Sequence, residues 1–137
     1  MAETLRNSGS VRSLIVHGAG GLDELTTTGP SRLVRLDDGV ITELEIDARD
    51  YGLARVAPDE LAGGDAAENA RIAERIFSGE RFPARDIVVL NAAAGLVAAG
   101  AVDDLGDGVE AAAAAIDAGA AAAKLAASRD GVKGSEG

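Results

Sequence analysis

The chain has 137 residues, 47% of them hydrophobic, which fits one modest domain with its own core. Thirteen basic against twenty-three acidic side chains leave a formal charge of −10, which repels phosphate backbones and anionic lipid, so no nucleic-acid and no membrane partner is expected. Cysteine is absent, excluding disulfides and thiolate-ligated zinc, and with neither a secretory signal over residues 1–15 nor a run of ~18 apolar residues, the expected location is cytoplasmic.

Residues 2–6 (AETLR) read as the end of a helix, with Asn7-Ser8-Gly9 as its stop signal and a strand over residues 11–16. Leu14-Ile15-Val16 is a short apolar run with β-branched residues, the pattern of a strand buried on both faces. In open α/β sheets ligands bind beyond the carboxyl ends of such strands, and Val16-His17-Gly18-Ala19-Gly20-Gly21-Leu22-Asp23-Glu24-Leu25 lies at that end. Between residues 32 and 47 the even positions Val34, Leu36, Val40, Leu44 and Ile46 are apolar, and Asp38-Gly39 is a type I′ turn signal. This predicts an antiparallel hairpin with one wet face. Residues 47–64 hold Pro58, Gly52, Gly63 and Gly64 without sustained periodicity, and read as a connecting loop with one short turn.

Three helices are expected after the hairpin. Asp65 and Glu68 have capping-box spacing, and Ile72, Ala73, Ile76 and Phe77 mark one face until Gly79. Over residues 86–100 the run Ile87-Val88-Val89-Leu90 resembles a strand, but the alanines that follow and Gly100 at the end favour a helix. Asp107 and Glu110 repeat the capping-box spacing before an alanine-dense run from Ala111 to Leu125, where Gly119 weakens the helix and small side chains imply close packing. Residues 128–137 are polar and glycine-bearing and read as a disordered tail.

Asp23 and Glu24 are the candidate metal ligands. Mg2+ takes oxygen ligands, typically one or two carboxylates, leaving its other positions to water and substrate phosphates. His17 is the only histidine and carries no catalytic assignment, because a lone imidazole beside a sheet is more often a structural hydrogen-bonder. Gly18-Ala19-Gly20-Gly21 starts like a dinucleotide fingerprint, but Asp23 fills the third glycine position. His17-Gly18-Ala19-Gly20 is like the oxyanion-hole turn of esterases, yet no G-x-S-x-G elbow occurs. Asp37-Asp38, Asp59-Glu60 and Asp103-Asp104 sit in predicted turns or helix starts and read as structural.

Taken together, MAETL, the strand ending in VHGAGGLDEL, Thr28-Gly29-Pro30, DYGL from Asp50, GGDAAENA from Gly63 and RDIVVLNAAAGL from Arg85 resemble anthranilate phosphoribosyltransferase, in order and in spacing, from residue 1 to about residue 127. The resemblance implies an α/β fold: the C-terminal part of a domain of the nucleoside phosphorylase and phosphoribosyltransferase type, with a strand, a β-hairpin and three C-terminal helices over residues 1–127. It implies transfer of phosphoribose from phosphoribosyl diphosphate to anthranilate in tryptophan biosynthesis, with Mg2+ held by Asp23 and Glu24. It also implies that a helical N-terminal domain that makes the family's homodimer, a GTGGD loop that cradles the diphosphate, and residues meeting both substrates lie outside residues 1–137. The chain is therefore expected to be a fragment, inactive alone, beginning at a methionine that normally lies inside a helix. No catalytic residue and no substrate-binding residue is carried over. Two alternatives stand beside this reading: a non-catalytic relative that binds nucleic acid or another partner, and a subunit that docks with a separate N-terminal chain.

Overall fold

A computed structural model describes residues 1–133 of the chain. Helix α1 (Ala2–Asn7) leads into β1 (Arg12–His17), and a looped segment carries the chain to β2 (Ser31–Asp37) and its hairpin partner β3 (Val40–Ile46). Two 3-10 turns, Ala48–Tyr51 and Pro58–Leu61, precede four helices: α2 (Ala66–Phe77), α3 (Pro83–Ala98), α4 (Leu105–Asp117) and α5 (Ala120–Lys133).

The sheet is three-stranded in the order β1-β2-β3, with β2 antiparallel to both neighbours. The α/β class is as expected, but β1 is not a strand buried on both faces. It is an edge strand, half-buried from Arg12 to Val16.

At the hairpin, Asp38 (φ 45°) and Gly39 (φ 82°) both take left-handed backbone, as a two-residue type I′ turn requires. That turn also corrects the expected apolar stripe. The register pairs Leu36 with Ile41 and Leu33 with Leu44, so even positions of β2 lie opposite odd positions of β3. Val34 and Leu36 therefore face one side of the sheet, while Leu44 and Ile46 share the other with Leu33. The first side meets α1, where Met1, Ala2, Ile15, Val34 and Ile41 line one groove. The second packs on the helical layer, joining Leu33 and Ile46 to Val89, Leu90, Ala93 and Leu105 in one core. The central strand is thus covered on both faces, while the edge strand β3 leaves Val40 at the hairpin tip and Leu44 exposed.

Local signals account for most of the helix ends. The Asp65 carboxylate accepts the Glu68 N–H at 2.8 Å to cap α2. Pro83 sits in the first turn of α3, where its missing N–H costs nothing. The helical option for residues 86–100 holds, because one face of α3, from Val89 through Ala93 to Val97, is buried. The third capping position needs correcting: Asp104, not Asp107, caps α4, accepting the Asp107 N–H at 2.9 Å. Gly119 (φ 77°) then splits the expected last helix in two, since left-handed backbone cannot continue an α-helix, and among the described residues four helices follow the hairpin instead of three. Helix α5 runs on to Lys133, so residues 128–133 of the expected disordered tail are helical, each added residue gaining one backbone hydrogen bond once the alanine-rich start has nucleated. Residues 134–137 of that expected tail lie outside the described residues.

No helix among the described residues is long and apolar enough to cross a membrane.

Candidate functional site

β1 ends at His17, and the chain reverses at once. The Gly18 N–H donates to the Leu22 carbonyl at 2.8 Å, and the Gly21 N–H donates to the Gly18 carbonyl at 3.1 Å, closing the 3-10 turn Ala19–Gly21. Gly18 has ordinary extended backbone, so glycine is not needed there for conformation. It is needed for space: a Cβ would overlap the Glu24 carbonyl oxygen, which lies directly over it.

Beyond the carboxylates, the loop is fixed a second time. Leu25 is fully buried; its N–H donates to Asn91 Oδ1 at 2.9 Å, and its carbonyl accepts from Asn91 Nδ2 at 2.7 Å. The same Nδ2 donates to the Ile87 carbonyl one turn back in α3, at 2.9 Å. The Thr26 N–H donates to Ser31 Oγ at 3.1 Å, and the Val56 N–H donates to the Thr27 carbonyl at 3.2 Å, so the rest of the loop is tied to β2 and to the following connection.

Asp23 and Glu24 lie between these two anchors. Both are exposed, and neither makes a hydrogen bond or ion pair among the described residues. Their main chain is fixed while their carboxylates are uncommitted. In each of the other acid pairs one carboxylate is committed. Asp37 accepts from Arg35 and from Arg12 Nε at 3.1 Å, contacts of which the Arg35 bond above all holds its carboxyl below the ordinary aspartate range. Glu60 accepts the Ala57 N–H at 2.9 Å, Asp38 forms the hairpin turn, and Asp104 caps α4. The structural reading agrees with the contacts of Asp37, Glu60 and Asp104 and with the turn position of Asp38.

No group of three or more His, Cys, Asp or Glu side chains is gathered for a metal among the described residues. A closed protein cage therefore does not fit Asp23 and Glu24. Two adjacent, exposed, uncommitted carboxylates do fit an ion such as Mg2+ that keeps most of its positions for water and phosphate. His17 is exposed at the end of β1, in register with Arg32. Sequence reasoning passed over Asn91, whose only signal is a polar side chain within an apolar, alanine-rich helix.

The profile of the α/β domain of the glycosyl transferase family matches residues 1–122. The chain belongs to that family. Within the glycosyl transferase family, an anthranilate phosphoribosyltransferase of Methylobacterium nodulans is 51% identical over 125 residues, covering 91% of this chain and 37% of the relative. The crystal structure of anthranilate phosphoribosyltransferase from Thermus thermophilus superposes with a TM-score of 0.78 at 38% identity, over 88% of this chain and 35% of that one. The anthranilate phosphoribosyltransferase of Saccharomyces cerevisiae, solved as a variant with Mg bound, gives a TM-score of 0.74 at 25% identity, over 83% of this chain and 33% of that one. The chain thus spans little more than a third of the length of the curated relatives it matches.

Proposed function

We propose that this chain serves anthranilate phosphoribosyl transfer, a step of tryptophan biosynthesis in the cytoplasm, and that Asp23 and Glu24 are its Mg2+ ligands. The observation that carries the reading is the state of these two carboxylates: exposed, free of partners and fixed through the main chain, in a chain half-identical to anthranilate phosphoribosyltransferases.

Substitution at the anomeric carbon of phosphoribosyl diphosphate builds positive charge on the ribose ring while diphosphate departs carrying negative charge. When bound, Mg2+ supplies stabilisation of that departing charge. Asp23 and Glu24 hold the ion and act as neither acid nor base. The contribution of this chain is positioning: the Gly18–Leu22 and Leu25–Asn91 hydrogen bonds fix the backbone on both sides of the acids before substrate arrives, so no reorganisation is needed as charge develops. No residue of the chain is assigned to the anthranilate or ribose subsites, and no dimer contact is assigned to residues 1–137.

The test is phosphoribosyl transfer to anthranilate, followed by loss of anthranilate fluorescence with Mg2+ and phosphoribosyl diphosphate. It compares the 137-residue chain with the same chain joined behind the upstream part of a relative that carries the glycine loop. Activity of the joined chain supports the reading; silence in both overturns it.

A further inference from the structure

We infer that Asn91 is a positioning residue for the Asp23–Glu24 pair: its carboxamide clamps both polar backbone atoms of Leu25 and so holds the carboxylates in place from helix α3. The inference rests on the metal role proposed above for those acids.

Three observations carry it. First, the clamp is two-sided, with the Asn91 oxygen on the Leu25 N–H at 2.9 Å and the Asn91 nitrogen on the Leu25 carbonyl at 2.7 Å, which fixes the orientation of the peptide groups as well as their distance. Second, Asn91 is itself held: its Nδ2 also donates to the Ile87 carbonyl at 2.9 Å, and its neighbours Val89 and Leu90 are fully buried, so the clamp rides on a rigid helix. Third, Leu25 directly follows Glu24, while on the other side the Leu22 carbonyl accepts from the Gly18 N–H. A segment of two residues between two such anchors has little backbone freedom. Removing one anchor frees Glu24 first.

A purely structural asparagine would satisfy the Leu25 backbone and affect stability alone. A positioning residue must also affect what Asp23 and Glu24 bind. Partners that orient metal ligands from behind are worth ~10–100-fold in metal affinity.

The experiment measures Mn2+ binding to the full 137-residue chain, by electron paramagnetic resonance of the free ion, with hydrogen exchange at Leu25 as a second readout. Asn91→Leu keeps the volume and loses every hydrogen bond; Asn91→Ser, which leaves room for a bridging water, takes its place if the leucine variant does not fold. Ile116→Val, a change in the core of α4, is the control for stability alone. The expected result is Mn2+ affinity lowered ~10-fold or more and faster exchange at Leu25 in the Asn91 variant, with affinity unchanged in Ile116→Val. Unchanged affinity in the Asn91 variant, with affinity lost in Asp23→Asn/Glu24→Gln, would overturn the positioning role and leave the metal reading standing. Unchanged affinity in the doubly substituted chain would overturn the metal reading and this inference with it.

Discussion

Gly108 of α4 lies so close to Ala93 of α3 that a Cβ on it would stand 2.9 Å from the Ala93 carbonyl oxygen and 3.0 Å from the Ala93 Cα. This is where the close packing implied by the alanine-dense sequence is realised. The obstructing atoms are helix backbone, so they cannot swing aside. Gly108→Ala is expected to lower stability by about 1–2 kcal/mol even though alanine is the better helix former, because overpacking outweighs the gain in propensity. Gly95 on α3 has nothing within 4 Å of its would-be Cβ, so Gly95→Ala is expected to raise stability by about 0.5–1 kcal/mol. Urea denaturation of the two variants should give opposite signs.

Asp23 and Glu24 are exposed and uncommitted, so replacing them should hurt function without hurting the fold. Asp23→Asn/Glu24→Gln is expected to reduce phosphoribosyl transfer by the joined chain by roughly 100-fold or more, with stability within ~0.5 kcal/mol of the wild type. Steady-state kinetics at several Mg2+ concentrations, beside a thermal melt, checks both halves. Loss of the fold would mean the acids have a structural task.

Gly18→Ala tests the loop by steric means alone. The backbone at Gly18 suits any residue, but the added methyl would displace the Glu24 carbonyl. The expected outcome is Mn2+ affinity lowered about tenfold with a loss of stability at least as large as in Gly108→Ala, because Gly18 is buried and its Cβ would come closer to main-chain oxygen than one at Gly108 would. Equal affinity in wild type and variant would show that the position of the Glu24 backbone is immaterial to the ion.

Arg85 is 3% exposed on α3 and donates through Nη2 to Asp117 Oδ1 at 2.8 Å, while its buried Nε lacks a partner among the described residues. Removing the carboxylate would leave a buried guanidinium without its counter-charge. Asp117→Ala is expected to cost about 1–3 kcal/mol, discounted from the ~3–5 of a wholly buried pair because the Asp117 side chain is 41% exposed. Adding Arg85→Met to Asp117→Ala should restore part of that loss. A double-mutant cycle in urea checks it, and full additivity would contradict it.

Asp47 accepts from Arg49 Nη2 at 2.7 Å and from Arg55 Nη2 at 3.0 Å, and the Arg49 contact above all holds its carboxyl far below the ordinary aspartate range. Arg75 does the same, less strongly, for Glu80. A carboxyl with a depressed folded-state pKa contributes stability above its unfolded pKa, and that contribution is lost as pH falls toward the folded value. Thermal melts should therefore show stability falling below about pH 4. Asp47→Asn should flatten that acid limb and lower the melting temperature at pH 7.

The sequence by itself determined what nearest neighbours control. Asp65 caps α2, Asp38-Gly39 makes the hairpin and Gly100 follows the end of α3, because capping and turn geometry depend on side chains within four residues of the backbone they serve. The order and spacing of the segments that resemble anthranilate phosphoribosyltransferase pointed to the family that the profile match over residues 1–122 bears out, and the metal role proposed for Asp23 and Glu24 comes with that resemblance. The tertiary structure alone decided which face of the hairpin is buried, because the register across the turn sets Leu36 opposite Ile41 and so separates Leu36 from Ile46. It decided that β1 pairs antiparallel to β2, and that the alanine run breaks at Gly119 instead of passing through it. Above all it brought Asn91 to Leu25 across 66 positions. Asn91 shows in the sequence only as a polar side chain within an apolar helix, with nothing to name its partner, which is fixed only when α3 packs against the loop after β1.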